Sequence, residues 1–252
     1  MNPADAVPLA LLLLFGLAVA LGGAIVLLAW HWHRQLATSL STASAPHHDR
    51  ATSEASQFHP AARRPVTWLT IRNRNSGKIL AALSLTVPKP CCWNGDFASE
   101  NGLLIAPPVR GWVLVTGNAV PDPAVDVDAC FRFLRELSRK LGEVQFFCAD
   151  HVLHHHGWAR LEAGRVIRAY AWAGTTLWHQ GVKTATECAL DLKTFGYDEE
   201  APSHRWDGSD IIAANVEKVA QLAAQWSLDP AEVAQRMAQH ARGISGRPSA
   251  RD

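Results

Sequence analysis

Apolar and polar positions change rhythm along this chain, and each change predicts a different kind of element. Residues 8–30 (PLALLLLFGLAVALGGAIVLLAW) form a run of 23 positions without a charge, 13 of them Leu, Ile, Val or Phe. As a helix such a run spans roughly 34 Å at about 1.5 Å per residue, more than a hydrocarbon core of about 30 Å. It predicts a transmembrane helix, with Trp30 and Trp32 at the level of an interfacial aromatic belt. Over residues 31–65 the rhythm dissolves into Ser, Thr, Ala, His and Pro, the composition of a juxtamembrane segment and a flexible linker.

From residue 66 to 242 the period switches between two and about 3.6 in blocks. Residues 67–72 (TWLTIR) read as a strand, and 79–85 as a short helix stopped by Pro88 and Pro90. Two strands follow at 103–106 and 112–116. Residues 125–141 carry an apolar helical stripe that Gly142 ends. Strands are expected at 143–149, 152–161 and 165–173, the last two joined as a hairpin through Glu162, Ala163 and Gly164, with a short strand at 176–179. Residues 184–193 read as a short helix capped by Thr184 or Thr186, and 210–225 and 229–241 as two longer ones. Asp229 caps the second of these and Pro230 opens it. Residues 243–252 look like a basic, disordered tail. Strands gather in the middle and helices flank them, which predicts an α+β fold, a single domain with one antiparallel sheet flanked by helices.

Composition narrows the setting. Hydrophobic residues at 48% and charged residues at 19% exclude wholesale disorder. Lys and Arg (24) balance Asp and Glu (23), so no global basic field points to nucleic acid, and no nucleic-acid partner is expected. The short flank at residues 1–7 carries Asp5 and no basic side chain, unlike a signal peptide, and Arg34 follows the span. The positive-inside rule then places the C-terminal domain on the cytoplasmic side of an inner membrane. Cys91, Cys92, Cys130, Cys148 and Cys188 are odd in number and lack a disulfide-framework spacing, as reduced thiols would. Small residues at four-residue spacing (Gly16, Ala20, Ala24) allow a weak homodimer through the anchor.

The densest chemistry lies at 148–156, CADHVLHHH. On a strand over 152–161, His154 and His156 share a face, and Cys148 is a further soft donor, so these three are candidate zinc ligands. A metal-dependent hydrolase would recruit Glu143 or Asp150 as its carboxylate. The competing reading is a His-rich strand face turned to solvent. No HExxH, CxxC, G-x-S-x-G, GxGxxG or P-loop pattern occurs, so no catalytic residue is named and no cofactor is expected. Vicinal Cys91 and Cys92 read as small buried apolar groups. Ten Trp residues are conspicuous. By strand alternation His156, Trp158 and Arg160 share a face, and with Trp178 they form a candidate binding strip, the alternative being ordinary core.

The segments GWVLVTG (111–117), LSRKLGEVQFF (137–147), GWARLEAGRVIRAYAWAG (157–174) and TATECALDL (184–192) resemble a group of uncharacterised bacterial membrane-anchored domains sharing a GWxLV…LS…GEVQFF…WAR…GRxxRAY order. The likeness covers residues 103–192. It implies a bacterial source and one sheet-based domain, and no activity. The expectation is therefore a single-pass membrane-anchored protein whose α+β domain binds a protein partner near the membrane. A metal-dependent hydrolase using the Cys148–His156 region and a periplasmic envelope-binding module are the alternatives.

Overall fold

Among the described residues nine strands share one sheet, and every ladder in it is antiparallel. The computed structural model describes residues 65–93, 102–199, 211–239 and 242–249. The strands are β1 (Thr67–Ile71), β2 (Leu85–Cys91), β3 (Leu103–Ile105), β4 (Val113–Thr116), β5 (Glu143–Ala149), β6 (His156–Glu162), β7 (Arg165–Trp172), β8 (Thr176–Gln180) and β9 (Gly243–Pro248). Across the sheet they run β2-β9-β3-β4-β1-β5-β6-β7-β8. Helices α1 (Ser76–Ala82) and α2 (Val127–Leu141) cover one face. Helices α3 (Ala185–Ala189), α4 (Ile211–Trp226) and α5 (Pro230–Gln239) cover the other. This is the expected α+β domain, in three layers.

Because helices lie on both faces, the central strands are buried on both. Along β5, Val144, Phe146 and Cys148 enter the core under α2, while Phe147 and Ala149 enter the core under α4 and α5. That is why EVQFFCA reads as a nearly continuous apolar run. Local signals set the boundaries. Asp126 caps α2 through the Ala129 N–H at 2.8 Å, and Gly142 ends it at a positive φ of 92°. The β6–β7 hairpin turns on Ala163 and Gly164, both in the left-handed region at φ 47° and 81°, as a two-residue primed turn requires.

No helix among the described residues is long and apolar enough to cross a membrane, and the candidate span at 8–30 and the linker to residue 64 lie outside those residues. Several expectations that fall on the described residues need correction. The helix expected at 79–85 is displaced to Ser76–Ala82, and Pro88 and Pro90 sit inside β2. Proline is tolerated there because β2 is an edge strand, bulged between Thr86 and Lys89. The strand expected from residue 152 begins only at His156, since the Asp150 carboxylate captures the Val152 and Leu153 N–H groups at 2.8 and 2.9 Å and forms a turn. The expected disordered tail contains β9, which fills the gap between β2 and β3, so the domain runs past residue 242. A Cβ at Gly243 would stand 2.7 Å from the Ile105 carbonyl oxygen, so this strand start must be glycine.

Candidate functional site

Alternation along β6 sets the geometry: His156, Trp158 and Arg160 face α3 and α4, whereas Ala159 and Leu161 face α2. The shared face expected for the first three is therefore present. It is covered: His156 and Trp158 are buried, and only Arg160, at the far end, reaches solvent.

The proposed metal ligands are separated by the sheet itself. Cys148 points into the α2 core, its sulfur accepting from Thr67 Oγ1 at 3.8 Å, while His156 lies on the opposite face. His154 sits in the 150–155 turn at φ 56°. Burial pushes the Cys148 and Cys130 thiols up to about 12, which keeps them protonated in the metal-free fold. No group of three or more His, Cys, Asp or Glu able to hold a metal occurs among the described residues. The Cys148, His154 and His156 triad is corrected accordingly, and Glu143 and Asp150 bear it out: Glu143 pairs with Arg72 and Arg160 at 3.2 and 3.1 Å, and Asp150 caps its own turn.

The binding strip divides likewise. Trp178 on β8 belongs to the α2 face, where Phe131 meets it edge-on with ring centres 5.6 Å apart. Trp158 lies on the other face and donates its indole N–H to Glu187 Oε1 at 2.7 Å.

The structure instead brings together residues whose association the sequence did not display. Arg168, opposite Arg160 in the β6–β7 ladder, is fully buried and ion-pairs with the equally buried Glu187 of α3 at 2.9 Å. Glu187 arrives there through a capping box: Thr184 Oγ1 accepts from the Glu187 N–H, and Glu187 Oε2 accepts from the Thr184 N–H at 2.7 Å. The spacing Thr184-x-x-Glu187 was the one signal available, and it predicts a cap, not burial. Beside this pair, the rings of Trp158, Tyr170 and Trp172 enclose His156 at centroid distances of 6.1, 5.8 and 5.5 Å. Asn215 of α4 closes the enclosure, with Nδ2 at 3.2 Å from His156 Nε2. Burial drives the imidazole pKa down to about 4, opposed by the hydrogen bond to the His154 carbonyl and reinforced by His155. At neutral pH this ring is uncharged.

A separate feature is open to solvent. An apolar hollow of about 860 Å³ is lined by Leu83, Leu103, Val120, Val125 and Phe133, with Asp122 and Arg132 at its margin. It lies at the end of the sheet where the chain enters β1, since Trp68 pairs with Thr116 just before the 117–126 loop, and Leu85 pairs with Pro248. No protein-family model matches the chain, and no curated protein and no solved structure matches it either.

Proposed function

We propose that this chain is a single-pass membrane-anchored binding protein, held by a helix at residues 8–30, whose α+β domain engages a protein partner close to the bilayer. The observation that carries this reading is the position of exposed aliphatic side chains. Val66, Val125, Val152 and Leu153 are 48, 86, 85 and 46% exposed. All four lie at the end of the sheet where the chain enters from the linker, on the start of β1 and on the 117–126 and 150–155 loops. Scattered exposed valines are ordinary, whereas several at one end of the sheet, with Val125 lining an apolar hollow, support a contact surface there.

Charge refines the partner. Asp122, Asp126 and Asp150 stand in those two loops, which contain no Lys or Arg. With Arg132 also at the hollow, the two loops themselves are the acidic part of the surface, and they suit a protein segment with an apolar side chain flanked by basic ones. The Ser-, Thr-, Ala-, His- and Pro-rich composition of residues 31–65 supports a tether that lets the domain work near the membrane. Arg34 favours the cytoplasmic side for it.

The test places a photo-crosslinking residue in the full-length chain in intact cells, at Val125, at Val152, or at Val182 near the opposite end of the sheet. A discrete adduct from the first two positions and none from the third supports the docking surface. No adduct at Val125 and Val152, or an equal one at Val182, overturns it. Alkaline extraction of the membranes tests the anchor separately, and release of the chain overturns that part. A C-terminal reporter active on one side of the membrane only reads the orientation.

A further inference from the structure

Asn215 reads the Lys193 backbone with both arms of its amide. The Lys193 N–H donates to Oδ1 at 3.0 Å, and Nδ2 donates to the Lys193 carbonyl at 2.7 Å. The peptide thereby dictates which end of the amide carries hydrogens. The remaining Nδ2 hydrogen faces His156 Nε2 at 3.2 Å, so Nε2 must accept. Nδ1 lies 3.3 Å from the His154 carbonyl and must donate. The surroundings thus admit a single state of the ring, neutral with its proton on Nδ1. A second proton would set two donors against each other inside the cage of Trp158, Tyr170 and Trp172. Turning the Asn215 amide over would relieve that conflict only by breaking both bonds to Lys193.

We propose that His156, Asn215 and the Lys193 backbone form an acid-released latch, in which protonation of His156 frees residues 191–195 and the first turns of α4 from the sheet. Phe195 is also held from the sheet, its N–H donating to Tyr170 Oη at 3.2 Å and its carbonyl accepting from Thr176 Oγ1 at 3.0 Å, and Leu192 is buried, so one of several attachments of the segment titrates in acid. The groups around the ring are accounted for element by element. From the preceding loop come His154 and His155, and from β7 the uncharged Tyr170 and Trp172. Arg168 and Glu187 nearby are committed to each other. Lys193 and Lys218 direct their ammonium groups to Asp191. His151 on the loop meets Glu217 of α4 at 3.1 Å. That pair is exposed and therefore weak.

The sign follows from the depressed pKa. A histidine that is easier to protonate when released, near 6.5, than when latched, near 4, keeps the latch closed above about pH 6.5 and loses it as pH falls towards 4. Opening at pH 5 is then favoured about 30-fold over pH 7.5.

Hydrogen exchange over residues 191–196 tests this, with the full-length chain in detergent and rates corrected for intrinsic chemistry at pH 7.5 and pH 5. The wild-type chain should lose about 30-fold in protection. His156→Gln, whose side-chain oxygen can accept from Asn215 but does not titrate, should show the same protection at both values. Unchanged protection in the wild type, or an equal loss in His156→Gln, overturns the latch. Should that variant fail to fold, NMR titration of the wild-type His156 ring decides. A pKa well below 6.5 whose transition also moves the Lys193 amide supports the proposal, and a pKa near 6.5, or an unmoved Lys193, overturns it.

Discussion

Arg168 Nε and Glu187 Oε1 stand 2.9 Å apart with both side chains removed from water, and the same carboxylate oxygen accepts the Trp158 indole N–H at 2.7 Å. One glutamate thus ties β6, β7 and the start of α3 together. Arg168 extends the tie by donating Nη1 to the carbonyls of Ala169, Gln180 and Gly181 at 2.9, 3.1 and 3.4 Å. A buried pair of this kind is strongly destabilised when one member is removed, because the other charge is left desolvated.

Glu187→Ala should accordingly lower unfolding stability by about 3–5 kcal/mol, and the double variant Arg168→Met with Glu187→Leu should recover much of the loss. Urea denaturation of the three proteins measures this. If the double variant is as unstable as the single one, packing and not the stranded charge sets the cost.

Stopping the chain after Arg242 removes β9 and leaves β2 and β3 without the strand that joins them. Two unpaired edges then face water, and the β3 edge is apolar, with Leu103, Leu104 and Ile105 buried in the intact sheet. Size-exclusion chromatography should show aggregated material in place of the wild-type peak. A chain stopped after Ser249 should elute as wild type. Equal elution of both truncations would mean that β9 contributes little.

The other sheet edge is guarded by a phenol. Tyr197 Oη accepts the His179 N–H at 2.9 Å and donates to the His179 carbonyl at 3.3 Å, occupying the groups a further strand would use. Tyr197→Phe should expose that edge and raise self-association in sedimentation velocity, with little change in helix and strand content. An unchanged sedimentation profile would show that the segment guards the edge without the hydroxyl.

The thiols divide by burial. Cys92 and Cys188 are exposed, whereas Cys130 and Cys148 are buried with pKa values near 12. Alkylation at pH 8 followed by mass spectrometry should label the first two quickly and the second two only when urea unfolds the domain. Fast labelling of Cys130 or Cys148 in the native state would contradict their placement in the α2 core.

Where neighbours in sequence decide the structure, the sequence was readable. Gly142, Ala163, Gly164, Thr184 and Asp229 each act within a few residues of themselves, and the helix starts, helix end and hairpin they announce are all present. The start of β6 was misjudged because the Asp150 turn competes locally with strand propensity in Val152 and Leu153. β9 was missed for a different reason. GISGRP has no apolar alternation, and it becomes a strand only because β2 and β3 stand ready on both sides.

The sequence by itself determined the period of each block, the caps and turns between blocks, and hence an α+β domain with an antiparallel sheet. Period-two alternation also determined that His156, Trp158 and Arg160 share a face. Only the tertiary structure decided what that face meets. The sheet puts Cys148 and Trp178 on its other side, and α3 and α4 bring Glu187 and Asn215 down onto Arg168 and His156 from 19 and 59 residues away. Burial and charge pairing depend on such distant approaches. A pattern of side chains along one strand records which way each points, and the partner that removes it from water is written elsewhere in the chain.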